Sequence, residues 1–201
     1  TCNSDALLLS ARQFRGSAID EIAQANEPDV IRHGRYDIER LTLQDRIVLI
    51  TGARRIGQTV AEAVAARGAD VVLSYARSRD EAEEGAARVR ALGRRAVVMQ
   101  ADLRDPEECR ALVTGAAQAM GGLDVLVSMA SIYLQKAFDE LTADDWDAAL
   151  SVDLRATFLC SQAAAPLMRA RGGGRIVNVS DWTAASGRPR YRGDLAYYVA
   201  K

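Results

Sequence analysis

From residue 46 onward, short apolar runs alternate with segments of helical spacing. The runs are rich in β-branched residues and span 46–52, 70–76, 95–102, 123–130 and 175–181. Between them, apolar positions recur every three or four residues, as in a helix that buries one face. These segments span 58–68, 78–93, 105–122, 142–150 and 152–172. Mostly apolar strands that alternate with helices predict a doubly wound α/β fold, with a parallel sheet covered by helices on both faces.

In a sheet of this kind, the Rossmann fold, ligands bind outside the carboxyl ends of the strands. The first strand is followed by TGARRIG, residues 51–57. Gly52 would allow a tight turn there, and Gly57 would let the following helix N-terminus approach a pyrophosphate. An ordinary strand-to-helix turn has the same letters, so further signals must decide between the two readings.

Tyr197 and Lys201 lie four residues apart, on one face of a helix that would begin near them. An ammonium beside a phenol stabilises the phenolate and lowers a pKa that is normally about 10. Such a tyrosine is a usable acid or base near neutrality. A surface pair is the plain alternative, and Tyr198 is a second, weaker candidate for the acid.

The composition of the chain excludes several classes of function. The 201 residues carry a formal net charge of −1, which argues against a nucleic-acid face. One histidine, His33, and three separated cysteines, Cys2, Cys109 and Cys160, exclude a Cys/His zinc site, and no metal site is predicted. The odd, unpaired cysteines fit a reducing compartment, so we expect a cytoplasmic protein. No apolar run approaches the roughly 18 residues that span a bilayer, so no membrane segment is expected.

Six segments together resemble the short-chain dehydrogenase/reductases, across about residues 42–201. They are TGARRIG, ADL, DVLVSMAS, VDLRATF, RIVNVSD and YYVAK. The resemblance implies that Tyr197 is the proton donor or acceptor, and that Lys201 tunes it and holds the nicotinamide ribose. It places Asp102 and Leu103 at the adenine. It also implies a homo-oligomer, either a dimer or a tetramer. The remaining predicted cofactor contacts are Arg54, Arg55, Ile56 and Ala130.

The end of the second strand indicates which dinucleotide is bound. A site for NAD usually offers a carboxylate to the ribose 2′-OH, whereas an arginine suits the 2′-phosphate of NADP. Here the segment reads Tyr75-Ala76-Arg77-Ser78. We therefore predict NADP(H), held in part by Arg77 and Ser78. The alternative is that Arg77 merely begins a solvated helix.

The domain organisation follows from the same patterns. Residues 1–41 mix apolar and charged residues at roughly helical spacing and are expected to form an N-terminal helical extension, either a partner-binding arm or a solvated tail. Residues 42–201 are the expected dinucleotide-binding domain. Because the sequence stops at Lys201, on the first turn of the helix that carries it, we expect C-terminal elements to be missing.

Departures from the family pattern concern the substrate. The glycine loop is basic and lacks its middle glycine, the segment 128–131 reads SMAS, and Asp153 stands where an asparagine is usual. Asp181 stands where the catalytic serine is usual. An ionised carboxylate opposes a developing oxyanion but suits a substrate with N–H donors, and a protonated one can donate. With Tyr133 in the following segment, this combination resembles the pteridine reductase subgroup, in which an aromatic helps to sandwich the pterin.

We therefore expect an NADPH-dependent reductase in which Asp181 and Tyr197 deliver a proton to a C=N or C=C bond of a pterin-like ring, or to a ketone. Tyr133 would stack on the ring, and Ser131 and Trp182 would line the substrate site. Residues 182–196 form either a substrate loop or a solvated basic loop. Alternative substrates are a 3-oxoacyl thioester or a sugar ketone. The alternative class is a non-catalytic NADP-binding sensor or assembly subunit.

Overall fold

The computed structural model describes residues 42–182 and 193–201. The predicted extension at 1–41, and residues 183–192 of the predicted loop, lie outside the described residues. The strands are β1 Ile47–Thr51, β2 Asp70–Tyr75, β3 Ala96–Gln100, β4 Val125–Ser128 and β5 Arg175–Asn178. The helices are α1 Ile56–Ala65, α2 Arg79–Ala91, α3 Pro106–Met120, α4 Ala143–Leu150, α5 Ala156–Ala170 and α6 Leu195–Ala200, with a π-helical turn at Ser151–Arg155.

The strands form one parallel sheet in the order β3-β2-β1-β4-β5. The chain moves outward from β1 to β3 and then crosses back to β4, so the strand order reverses between β1 and β4. The predicted doubly wound fold is confirmed. In such a sheet the crevice for a ligand lies beside this reversal, at the carboxyl ends of the strands. Thr51 and Ser128, the last residues of β1 and β4, pair directly there.

The core lies on both faces of the sheet because successive strand residues point to opposite sides. Ile47 and Leu49 pack into the cluster formed with α3 and α5, whereas Val48 and Ile50 pack into the cluster formed with α1 and α2. All four side chains are buried. This two-sided burial explains why β1 is a continuous apolar run without polar alternation.

The outer strands correct the prediction of a sheet covered throughout. Most of β3 is half-buried, and β5 is mostly exposed, with Ile176 37% exposed. Within residues 42–182 and 193–201, no further strand pairs with β5, so it forms an edge of the described sheet. In the same described part of the chain, none of the helices is long and apolar enough to cross a membrane.

The two helical stretches predicted between residues 142 and 172 are one continuous helical segment. Thr142 caps α4 through a reciprocal capping box with Asp145. Helix α4 then runs through the π-helical turn at Ser151–Arg155 directly into α5. Turns of this kind are rare and occur often at functional sites. Here the turn carries Asp153, whose side chain is completely buried.

Candidate active site

Three side chains meet at the carboxyl edge of the sheet. Tyr197, on the first turn of α6, is only 5% exposed. Its hydroxyl donates a hydrogen bond of 2.6 Å to Oδ2 of Asp181, which follows β5. The hydroxyls of Tyr133 and Tyr197 lie 3.0 Å apart, and their rings are stacked with centroids separated by 4.6 Å. Because the proton of Tyr197 points to Asp181, Tyr133 is the donor to Tyr197.

This environment keeps Tyr197 protonated. Burial, together with the hydrogen bonds to Asp181 and Tyr133, raises the pKa of Tyr197 well above its usual value. Burial acts by penalising the charged phenolate, and the carboxylate repels it. The direction is opposite to the expectation that Lys201 would lower this pKa. The sequence-based expectation of a lowered pKa is therefore wrong for this arrangement, and the role of Tyr197 as a proton donor stays a prediction.

The ammonium of Lys201 is paired with a carboxylate next to the site. Its Nζ is 5.8 Å from the centroid of the Tyr197 ring, but 3.0 Å from Oδ1 of Asp153. Asp153 also accepts hydrogen bonds from the Ser131 hydroxyl and, at 3.1 Å, from the backbone N–H of Ile132. The charge of Lys201 is thus directed toward a buried carboxylate beside the tyrosine.

The loop between β1 and α1 is closely packed. Gly52 has a φ of +85°, and a Cβ there would lie 3.0 Å from the Cα of Ala130. A Cβ at Gly57 would lie 2.0 Å from the carbonyl oxygen of Gly52. Glycine at 57 is therefore required by the loop's own backbone, a reason the sequence did not indicate. Arg54 forms an ion pair of 3.0 Å with Glu81 on α2, so its charge is already engaged.

The ends of β2 and β3 lie next to each other. Arg77 is exposed just after β2, and Ser78 directly precedes α2. Asp102 follows β3 and is bound by Arg104, whose hydrogen bond lowers the pKa of Asp102 to about 2. The charge of Arg77 lowers this pKa further, which shows that Arg77 and Asp102 are electrostatic neighbours. The neighbouring Leu103 is buried.

Comparisons with known proteins agree with this geometry. The family model described as short chain dehydrogenase matches residues 46–201. The chain belongs to the short-chain dehydrogenase family. A short-chain dehydrogenase/reductase of Armillaria gallica is 36% identical, over 79% of this chain and 60% of its own length. The 3-oxoacyl-[acyl-carrier-protein] reductase of Synechocystis is 33% identical, over 79% of this chain and 64% of its own.

A solved structure shows the same likeness. A short-chain dehydrogenase from Burkholderia cenocepacia in complex with NADP is 42% identical, with a TM-score of 0.72, and the match covers 79% of this chain and 64% of that one. The chain therefore spans roughly three fifths of the length of these relatives. Both kinds of comparison show the family and the fold. They do not distinguish a pteridine reductase subgroup, because the relatives named above are of other kinds.

The residues of this family member fit a dinucleotide phosphate. Among the described residues, no side chain caps the N-terminus of α1; the Gly57 N–H donates to the carbonyl of Arg54, and the dipole of the helix favours an anion at this end. Glycine at 52 and 57 keeps the backbone bare at this point. Arg77 adds an exposed cation at the end of β2. These features match the requirements of NADP at the strand-order reversal.

Other predicted residues have different surroundings. Ser131 donates to Asp153, and Trp182, directly after Asp181, is 66% exposed. Arg55 and Ile56 are exposed at the start of α1, with φ of +40° at Arg55. The hydroxyl of Tyr198 is buried and has no hydrogen-bond partner within the described part of the chain. Tyr197, rather than Tyr198, therefore occupies the hydrogen-bonded position.

Proposed function

We propose that the chain is the cofactor-binding and proton-donating part of an NADPH-dependent reductase. One observation carries this proposal. A buried, protonated Tyr197 is hydrogen-bonded at the carboxyl edge of the sheet beside Lys201, and the uncapped N-terminus of α1 follows β1 at the same edge. A protonated phenol at this place is suited to give a proton to an atom that has gained negative charge.

The proposed cofactor contacts use the geometry above. The backbone of 52–57 would hold the pyrophosphate, Arg77 and Ser78 the 2′-phosphate, and Asp102 and Leu103 the adenine. Ala130 would contact the nicotinamide side, and Lys201 the ribose. When bound, NADPH supplies the hydride. The NADP bound to the Burkholderia cenocepacia relative supports this choice of dinucleotide.

The protein then has to deliver one proton. Tyr197 turns its O–H from Asp181 to the reduced atom, and Tyr133, which already donates to the Tyr197 oxygen, restores the proton. Tyr133 is 69% exposed and can recover its proton from water. The two tyrosines thus connect the buried donor to solvent.

For the substrate we propose a flat heterocycle with N–H donors and a reducible C=N or C=C bond, as in a pterin. The carboxylate of Asp181 would accept from such N–H groups, whereas it would repel the oxyanion formed from a simple ketone. Tyr133, which is 69% exposed, would stack on the ring while it keeps its contact with Tyr197, and Ser131 and Trp182 would border the ring. A 3-oxoacyl thioester is the second candidate, favoured by the Synechocystis relative.

Asp181→Ser tests the substrate class. We expect the variant to lose about 10-fold or more of its turnover of dihydropterin and biopterin, and to gain turnover of ketones and 3-oxoacyl thioesters. The measurement is NADPH consumption by the purified full-length protein against all these compounds, with NADH compared in parallel. Asp147→Ser, which removes an exposed carboxylate from α4, is the matched control and should change neither rate.

Three outcomes would count against this proposal. Equal ketone turnover by the wild type and Asp181→Ser, with no pterin turnover by either, contradicts the pterin assignment. Equal use of NADH and NADPH contradicts the role given to Arg77. Binding of NADPH without oxidation against any compound favours the non-catalytic sensor or assembly subunit.

We also propose that the protein pairs with further copies of itself. Leu154 and Phe158, one turn apart on the segment that continues into α5, are 53% and 60% exposed. Large apolar side chains side by side on one helix face are typical of an interface. Sedimentation equilibrium should find a dimer or tetramer, and a monomer at all concentrations would contradict this. The cytoplasmic location stays a prediction.

A further inference from the structure

Asp153 and Lys201 form a buried ion pair next to Tyr197. The side chains of Asp153 and Lys201 are 0% and 6% exposed, and Lys201 caps the C-terminus of α6, the helix that carries Tyr197. The resemblance implies a neutral asparagine at this position, whereas the sequence has Asp153. Buried charges of this kind are costly unless they are paired and hydrogen-bonded, and Asp153 meets both conditions.

We propose that Asp153 is a positioning residue that cancels the charge of Lys201 beside Tyr197, and so keeps Tyr197 in its protonated, proton-donating form. The proposal rests on the proposed function for its catalytic meaning. Its electrostatic part concerns only residues of this chain.

A lone charge and an ion pair act differently on the pKa of a neighbouring acid. A lone ammonium within about 4–6 Å of an acid typically lowers its pKa by about 1–3 pH units. Lys201 lies at this distance from the Tyr197 ring, yet the pKa of Tyr197 is raised. An adjacent carboxylate 3.0 Å from the ammonium opposes its field at the tyrosine. Asp153 therefore weakens the stabilisation that Lys201 can give the phenolate, while burial, Asp181 and Tyr133 raise the pKa of Tyr197.

None of the other charged groups described around Tyr197 supplies a positive charge in place of the Lys201 charge that Asp153 cancels. Asp181 accepts from its hydroxyl, and Asp194, before α6, is itself influenced by the charge of Asp181. On α4, which packs against α6, Asp145 pairs with Lys136. The remaining titratable groups on these elements are the tyrosines at 133 and 198 and the exposed Asp144 and Asp147.

Asp153 has a second, structural task that the test must separate. It anchors the backbone N–H of Ile132 and the hydroxyl of Ser131, and so fixes the segment that leads to Tyr133. Asparagine at 153 keeps an acceptor oxygen for the Ile132 N–H, removes the charge, and puts an amide NH₂ in place of the oxygen that faces Ser131 and Lys201. Asp153→Asn is therefore the informative substitution, and alanine would disturb both tasks together.

The experiment is an NMR titration of the full-length protein labelled with ¹³Cζ-tyrosine. The chain has six tyrosines, and the resonance lost in Tyr197→Phe identifies Tyr197. We expect Asp153→Asn to move the titration midpoint of Tyr197 downward by about 1–3 pH units. The matched control Asp147→Asn removes an exposed carboxylate from α4 and should leave the midpoint in place.

The double variant Asp153→Asn/Lys201→Met removes both buried charges and keeps the net charge unchanged. It should titrate close to the wild type, and it serves as the decisive sample if Asp153→Asn alone does not fold. A midpoint that stays in place or rises in folded Asp153→Asn overturns the proposal. A double variant whose midpoint rises by more than about one pH unit also overturns it, because Lys201 would then carry uncancelled charge.

Activity gives an independent readout. If the wild type oxidises NADPH with a substrate, the alkaline limb of the pH profile of kcat/KM for reduction should move downward in Asp153→Asn by about 1–3 pH units, because Tyr197 must be protonated to donate. An unchanged limb in an active enzyme counts against the inference. A wild type that reduces nothing defeats the proposed function, whereas the NMR titration still decides the charge cancellation.

Discussion

Replacing Tyr197 with phenylalanine is expected to lower turnover by about 10²–10⁴-fold, the usual contribution of a positioned proton donor. The substitution removes only the hydroxyl that bonds to Asp181 and Tyr133, and it keeps the ring that stacks on Tyr133. We therefore expect the dissociation constant of NADPH to stay within about twofold. Steady-state NADPH consumption and a fluorescence titration with NADPH measure the two quantities separately.

Tyr198→Phe is the matched control, because its hydroxyl is also buried on α6 yet lacks a hydrogen-bond partner among the described residues. Removing it should change turnover little. If Tyr198→Phe abolished turnover and Tyr197→Phe did not, the acid would be assigned to the wrong tyrosine. If neither mattered while NADPH was still oxidised, proton delivery would have to come from another group.

The sequence predicts the fold well where a strand is buried on both faces of the sheet. The run at β1 is apolar at every position, and the structure buries it on both faces. The run at β3 has the same appearance, yet β3 is half-buried because it lies at the edge of the sheet. Whether a strand is covered depends on its neighbours in the sheet, and the pattern of a single run does not contain that information.

The ion pairs of the site are likewise not predictable from the sequence pattern alone. Local spacing and strand order place Tyr197, Lys201 and Asp181 together, and the resemblance adds Tyr133. The partner of Lys201 is Asp153, 48 residues earlier, and only the π-helical turn before α5 aims that carboxylate at the ammonium. The pKa of Tyr197 is raised by burial and by the contacts with Asp181 and Tyr133, which depend on packing between distant segments, and this explains why the sequence-based expectation was wrong.

Asp181 and Asp153 both make the surroundings of the Tyr197 phenol less positive. Each places a carboxylate where the family pattern has a neutral side chain, one against the Tyr197 hydroxyl and the other against Lys201. Together they remove positive charge from the surroundings of the phenol. A site of this character is poorly suited to stabilising an oxyanion and better suited to N–H donors, which supports a heterocyclic substrate over a ketone.

Gly57→Ala is expected to weaken NADPH binding by about 5- to 150-fold, which corresponds to an overpacking cost of about 1–3 kcal/mol. The added Cβ would lie 2.0 Å from the carbonyl oxygen of Gly52, a backbone atom. Gly52 has little room to retreat because it closely approaches Ala130. The loop must therefore shift at the point where we place the pyrophosphate. NADPH fluorescence titration measures the loss, and thermal unfolding should show a lower Tm.

Gly115→Ala, in α3, provides the matched control, because the new Cβ there approaches only the flexible end of Met99. Alanine is favoured over glycine inside a helix by about 0.5–1 kcal/mol, and this gain applies to both variants. Gly115→Ala should thus keep NADPH affinity within about twofold. A Gly57→Ala variant that is folded and binds NADPH as tightly as the wild type would show that the pyrophosphate lies elsewhere. In that case the exposed Arg77 would have to be reconsidered as well, since its proposed contact depends on the same placement of the dinucleotide.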